Sequence, residues 1–173
     1  GIVGLGRIGK EVAIRARAFG MEPVGYDLYW DDTFAAQHGV RRAATLDEVF
    51  ACADYLSLHT NLTPETRDLV CAASLARMKK GVIIVNCARG EIVRTADLVA
   101  ALQSGQVAGY GTDVLEQEPP PADHPLLRLP NVIVTPHIGS RTHESVQRQA
   151  TCAVENLALF LAGQKPHAQA NSW

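Results

Sequence analysis

Gly1-Ile2-Val3-Gly4-Leu5-Gly6-Arg7-Ile8-Gly9-Lys10 opens the chain, and Val24-Gly25-Tyr26-Asp27 follows after a helical run. The first segment sets a G-x-G-x-x-G pattern behind an apolar stretch and ahead of a helix. The second reads as a strand ending in a carboxylate eighteen residues after Gly9. Together they have the layout of a βαβ unit that binds a dinucleotide. Gly4 is expected to make the tight strand-to-helix turn, Gly6 to let the backbone approach a pyrophosphate, and Gly9 to let the helix pack closely on the strand. Arg7 and Ile8 then lie at the helix N-terminus, which holds the anion. Asp27 is placed to bond ribose hydroxyls.

A first strand of this kind normally has several residues before its glycine turn, and here only Gly1, Ile2 and Val3 stand there. The expectation is therefore a cofactor domain whose upstream portion is absent from the sequence.

A length of 173 residues fits one domain, able to bury roughly 70% of its unfolded surface. A formal charge of −2 and the lack of any Lys/Arg-dense stretch give nucleic acid no electrostatic footprint. The longest apolar runs, such as Val82 to Val85, are strand-sized, and no signal peptide is visible, so no membrane partner is expected. Cys52, Cys71, Cys87 and Cys152 are scattered without C-x-x-C spacing. They read as reduced thiols of a cytoplasmic protein, with Cys87 buried after a β-branched run.

Apolar runs of strand length alternate with amphipathic stretches from end to end, the pattern of a doubly wound α/β fold with a parallel, Rossmann-type sheet. Strands are expected at 1–3, 23–26, 40–43, 55–58, 82–86, 109–113 and 132–135. Helices are expected at 8–19, 46–52, 72–78 and 96–103, with Gly20, Gly81 and Gly105 closing three of them. Glu116 to Pro125 reads as an irregular loop. His143 to Leu161 reads as a long amphipathic helix, with Val146, Ala150, Val154, Leu157 and Phe160 at helical spacing. The expected organisation is a cofactor domain over 1–162, whose 143–162 helix closes it or links onward, and a poorly ordered tail over 163–173.

Ligands of doubly wound sheets bind beyond the carboxyl ends of the strands. Three polar residues follow strands there: Arg89 after 82–86, Glu118 five residues past Asp113, and His137 after 132–135. A base, a carboxylate to orient it and a guanidinium for an anionic substrate are the parts of an acid/base site.

The glycine fingerprint, Val85-Asn86-Cys87-Ala88-Arg89-Gly90-Glu91-Ile92-Val93, Gly111-Thr112-Asp113-Val114 with Glu116-Gln117-Glu118-Pro119, and Thr135-Pro136-His137-Ile138-Gly139 resemble the D-isomer-specific 2-hydroxyacid dehydrogenases, in order and spacing through essentially the whole chain. The resemblance implies a two-domain enzyme of which roughly the first hundred residues, the substrate domain, are missing, and in which the 143–161 helix returns toward that domain. It implies NAD as cofactor and hydride transfer between a D-2-hydroxy acid and its 2-oxo acid. His137 then resembles the acid/base, Glu118 the carboxylate bonded to its imidazole, and Arg89 the residue that binds the substrate carboxylate. Asp113 matches the residue that holds the nicotinamide carboxamide. Cys87, Ala88, Arg89, His137, Gly139 and Ser140 match further cofactor-binding positions, as do Thr60 and Asn61, although many members carry proline where this chain has Asn61. His59 reads equally well as a strand-end side chain packed beneath that loop.

Asp27, Asp31 and Asp32 put three carboxylates and no cation in the loop that would meet a 2′-phosphate, which favours NAD over NADP. Phosphoglycerate is the substrate class expected first, glyoxylate or hydroxypyruvate second and D-lactate third, in a homodimer. An NAD-sensing corepressor carrying the same Arg, Glu and His stays open as a reading of another class. A bare nucleotide-binding module would leave Arg89, Glu118 and His137 unexplained.

Overall fold

The structure, a computed structural model, describes residues 1–169. Seven strands are β1 (Ile2–Val3), β2 (Val24–Tyr26), β3 (Arg41–Arg42), β4 (Tyr55–Leu58), β5 (Val82–Asn86), β6 (Val107–Thr112) and β7 (Val132–Val134). They form one sheet in the order β3-β2-β1-β4-β5-β6-β7, with every neighbouring pair parallel. The helices are α1 (Arg7–Ala18), α2 (Asp32–His38), α3 (Leu46–Cys52), α4 (Ala72–Leu75), α5 (Thr95–Ser104) and α6 (His143–Leu161). This is the doubly wound Rossmann arrangement. Its strand order reverses between β1 and β4, so the ligand crevice of such a sheet falls at their carboxyl ends.

Alternation along β1 divides the interior. Ile2 joins a small cluster with Leu5, Ala13, Ala35 and Val40, whereas Val3 joins the large one with Phe50, Leu56, Leu58, Ile84, Ile92 and Leu98. Apolar groups thus cover both faces of the sheet, as the near-continuous apolar runs of the central strands require.

All seven expected strands are present. The main omission of the sequence reading is α2, whose first residues look like an acidic loop. Asp31 is its N-cap and accepts the Phe34 N–H at 2.9 Å, and Gly39 closes it with φ +63°. The helix expected over 72–78 stops at Leu75, followed by turns. Cys87, expected to be buried, is exposed: it comes just after β5, whose last residue, Asn86, takes the inward position.

The chain divides into two compact units, Gly1–Pro136 and a second from His137 onward. The expected cofactor domain over 1–162 therefore spans this boundary. In the second unit the Thr142 hydroxyl accepts the Ser145 N–H at 3.1 Å and caps α6, a helix with the bounds read from the sequence. No residue of α6 is buried, and Val146, Val154 and Leu157 are exposed. Of the expected tail, the part through Gln169 turns back on that helix, with the Ala168 N–H donating to Asn156 Oδ1 at 3.0 Å. Residues 170–173 lie outside the described residues.

Candidate active site

The glycine turn after β1 is built as the spacing predicts. Gly4 has φ +92°, and a Cβ on it would stand 2.7 Å from the His59 carbonyl. A Cβ on Gly9 would stand 2.0 Å from the Gly4 carbonyl oxygen, so α1 is seated directly on the turn. Gly6, in contrast, faces open space, with nothing within 4 Å of its would-be Cβ. Backbone contact fixes the outer glycines, and vacancy marks the one assigned to a pyrophosphate. The first turn of α1 carries no acidic residue and no side-chain cap, which leaves its amides to an anion.

Asp27 closes the far side of the turn. Its Oδ2 accepts the Leu5 N–H at 2.5 Å and its Oδ1 the Tyr29 N–H at 2.7 Å. Beside Gly4, the His59 N–H donates to the Val3 carbonyl at 2.7 Å, and Nε2 lies 2.8 Å from Ser57 Oγ. Burial pushes the His59 imidazole below its ordinary pKa. This is the packed strand-end histidine of the plainer reading. Thr60 and Asn61 follow in a loop tied by the Thr66 hydroxyl, which donates to the Asn61 carbonyl at 2.6 Å.

The loops after β5 and β6 are shaped by buried polar groups. Asn86 accepts the Ala88 N–H at 3.0 Å and donates to the Arg89 carbonyl at 2.9 Å, which folds residues 86–89 into a fixed turn. Arg89 is exposed, with Nη1 donating to the Ala88 carbonyl at 2.6 Å. The next residue, Gly90, touches the second loop: a Cβ there would fall 2.0 Å from Leu115 C and 2.3 Å from Glu116 N. The Leu115 N–H in turn donates to Glu118 Oε1 at 3.0 Å. The loops that carry Arg89 and Glu118 are therefore pressed backbone to backbone. Asp113 is buried at the end of the same sheet edge, where its Oδ1 accepts from the Thr135 hydroxyl at 2.5 Å. Buried His124 places Nε2 3.4 Å from Glu116 Oε1 and leaves Nδ1 without a partner.

His137 follows β7 in the chain but opens the second unit, with Ile138, Gly139 and Ser140 behind it. It is exposed and has φ +52°, an uncommon conformation for a residue with a Cβ. The Arg141 N–H donates to the Ile138 carbonyl at 2.8 Å and closes this turn. The site residues of the first unit thus gather at the carboxyl ends of β1, β2, β4, β5 and β6.

The loop after β2 carries no cation of its own, but Lys10 reaches it from α1 and pairs with Asp31 at 2.5 Å, and Arg42 from β3 lies 5.5 Å over the Trp30 ring. Asp31 is therefore a paired helix cap and not a free carboxylate. Asn86, Thr135 and His124 also went unremarked. The signal for Asn86 was present, an amide between an apolar strand and a turn, where a buried side chain must satisfy nearby backbone. Among the described residues no helix is long and apolar enough to cross a membrane.

Residues 1–139 match the model of the NAD-binding domain of D-isomer specific 2-hydroxyacid dehydrogenases. The chain is 43% identical over 164 residues to a D-3-phosphoglycerate dehydrogenase of Methanocaldococcus jannaschii, covering 95% of this chain and 31% of that protein. It is 44% identical over 166 residues to a glyoxylate reductase of Korarchaeum cryptofilum, covering 96% of this chain and 50% of the relative. A solved D-lactate dehydrogenase with NAD+ from Lactobacillus jensenii superposes with a TM-score of 0.90 at 32% identity, covering 99% of this chain and 55% of that one. The chain spans about a third to a half of the length of these proteins.

Proposed function

The chain belongs to the D-isomer specific 2-hydroxyacid dehydrogenases, as their NAD-binding domain, and on that premise we propose that it serves an enzyme interconverting a D-2-hydroxy acid and a 2-oxo acid. The observation that carries the proposal is the backbone contact between Gly90 and Leu115–Glu116, which fixes the Arg89 and Glu118 loops against each other at one sheet edge. The His137 backbone conformation adds support, since sparsely populated φ values collect at functional sites.

In this reading Gly4, Gly6, Arg7, Ile8 and Gly9 hold the pyrophosphate and Asp27 the ribose hydroxyls. Thr60, Asn61, Cys87, Ala88, Asp113, Gly139 and Ser140 complete the nucleotide's surroundings. NAD supplies the two-electron hydride chemistry when bound. The chain's own groups move the proton and hold the substrate. Arg89 presents a planar, permanently charged fork to the substrate carboxylate and stabilises the charge that grows on the C2 oxygen. His137 as imidazolium gives that oxygen its proton, and in the oxidative direction neutral His137 removes the hydroxyl proton. Glu118 is the carboxylate assigned to orient the ring.

Phosphoglycerate is the preferred substrate because the segments Asn86-Cys87-Ala88-Arg89-Gly90 and Glu118-Pro119-Pro120 look most like that branch. The second reading is a glyoxylate or hydroxypyruvate reductase, favoured by the 44% identity to the Korarchaeum glyoxylate reductase beside 43% to the phosphoglycerate dehydrogenase. Assay of the enzyme that carries this chain on 3-phosphoglycerate, glyoxylate, hydroxypyruvate and D-lactate decides among them, and inactivity on all four would sink the dehydrogenase proposal. The setting we propose is the cytoplasm.

The cofactor assignment predicts tighter binding of NADH than of NADPH to the chain itself, by about tenfold or more for one well-placed carboxylate. Fluorescence titration measures both, and equal or tighter NADPH binding would overturn it. Asp27→Ala is expected to narrow the difference by weakening NADH.

We propose a homodimer, with the exposed apolar side chains of α6 among the surfaces available for it. Sedimentation of the chain at tens of micromolar is expected to show the dimer, and a clean monomer would count against an interface in this domain.

A further inference from the structure

Two cations lean over the loop that follows Asp27, and they are held differently. Arg42 rests on the Trp30 ring, which leaves its charge intact. Lys10 comes from the first turns of α1, with Nζ 5.1 Å from the centroid of the Phe34 ring and 2.5 Å from Asp31 Oδ2. Asp31 is held on both sides, because its other oxygen caps α2 through the Phe34 N–H at 2.9 Å. The bond from Lys10 is the leading cause of the lowered pKa of the Asp31 carboxyl, so Asp31 is a carboxylate at neutral pH. Both side chains remain partly exposed, at 30% and 40%, so neither is locked away from a ligand.

An ammonium paired with a carboxylate presents the field of a small dipole, which fades faster with distance than that of a free charge. Released, the same group is a compact charge on a flexible four-carbon stem, able to follow a phosphate placed near it. Asp27 bonds the backbone of Leu5 and Tyr29, and Asp31 lies only four residues further along. A part for Lys10 in cofactor choice requires that a 2′-phosphate on the ribose at Asp27 come within reach of the Lys10 stem.

Resting on the reading of Asp27 as the ribose-binding carboxylate, we propose that Asp31 is a clamp on Lys10. Discrimination against a 2′-phosphorylated dinucleotide then depends on the Lys10–Asp31 pair as well as on Asp27. Asp31 and Lys10 are specificity-determining residues in this view, although neither needs to touch NAD.

Asp31→Asn tests the clamp cleanly, because asparagine caps a helix as well as aspartate does and still accepts the Phe34 N–H, so α2 stays in place. NADH and NADPH are titrated against the full chain in four forms: wild type, Asp31→Asn, Lys10→Ala and the double variant. The NADPH-to-NADH affinity ratio is expected to rise about fivefold in Asp31→Asn at low ionic strength, as one neutralised carboxylate and one released ammonium imply. The gain should shrink in high salt and be mostly lost when Lys10→Ala is added. An unchanged ratio in Asp31→Asn would overturn the clamp. So would an equal gain with and without Lys10, which would make Asp31 a plain repelling charge. Failure of the wild type to bind NADH would instead bring down the cofactor assignment, and the clamp with it.

Discussion

His137→Ala is expected to lower turnover of the enzyme that carries this chain by about 10²- to 10⁴-fold while NADH binding survives, the range that positioned acid/base assistance provides. In the proposed site, proton transfer and the main nucleotide affinity reside in different groups: the imidazole follows β7, whereas the glycine turn and Asp27 lie at β1 and β2. Arg89→Ala should behave differently. It removes the charge proposed to act on the ground-state carboxylate as well as on the developing oxyanion, so KM should rise and kcat fall together. Glu118→Gln removes the carboxylate proposed to orient the acid/base, so kcat should fall while NADH binding is kept. Steady-state kinetics of the three variants, with NADH titration beside them, separate these roles. Wild-type turnover in His137→Ala on every 2-oxo acid tried would refute the mechanism.

Gly90→Ala carries the second large effect, and it is structural. The new methyl would have to occupy a point 2.0 Å from Leu115 C and 2.4 Å from Leu115 O, which are backbone atoms and cannot rotate aside. The 3-10 turn of Gly90–Ile92 or the Leu115–Glu116 segment must move, at a cost of about 3 kcal/mol. For a chain of this size that corresponds to a drop of about 6–12 °C in Tm. Where the variant folds, Arg89 and Glu118 are displaced from one another, so activity should fall further than stability alone explains. Thermal unfolding followed by circular dichroism checks the first part, and a Tm within 2 °C of wild type would contradict the packing described.

The glycine fingerprint was legible in the sequence because each glycine answers a local demand of a turn. The bounds of β4, β5, α3 and α6 were also readable, since each carries an apolar run of one clear period. Helix α2 was obscured because Asp31 and Asp32 can be read as charge or as cap, and Gly39 as its terminator was the overlooked sign. Contacts between distant segments were not legible at all. Lys10 and Asp31, or Gly90 and Leu115, meet because a β-strand and a helix of particular length bring them together. No periodicity in either segment encodes its partner. Arg89, Glu118 and His137 could be selected as strand-end residues, yet the backbone contact that presses the first two loops together is a fact of three dimensions.

The unequal sharing of the interior has a consequence for motion. On the Asp27 side of the sheet one face rests on the small cluster of Ile2, Leu5, Ala13, Ala35 and Val40, the other reaches the large cluster through Val24 and Ala43, and the edge strand β3 is two exposed arginines. The side from β4 to β6 rests on the large cluster, with Leu56, Ile84 and Val107 wholly buried. Local opening begins where least apolar area must be exposed, so β2, α2 and β3 form the lower-stability foldon. Amide protons there are expected to exchange through partial unfolding, before those of β5, which require the whole first unit to open. A dinucleotide lying across β1 would bridge the soft and the firm halves, and its binding free energy would be felt first as slower exchange in the half that holds the ribose.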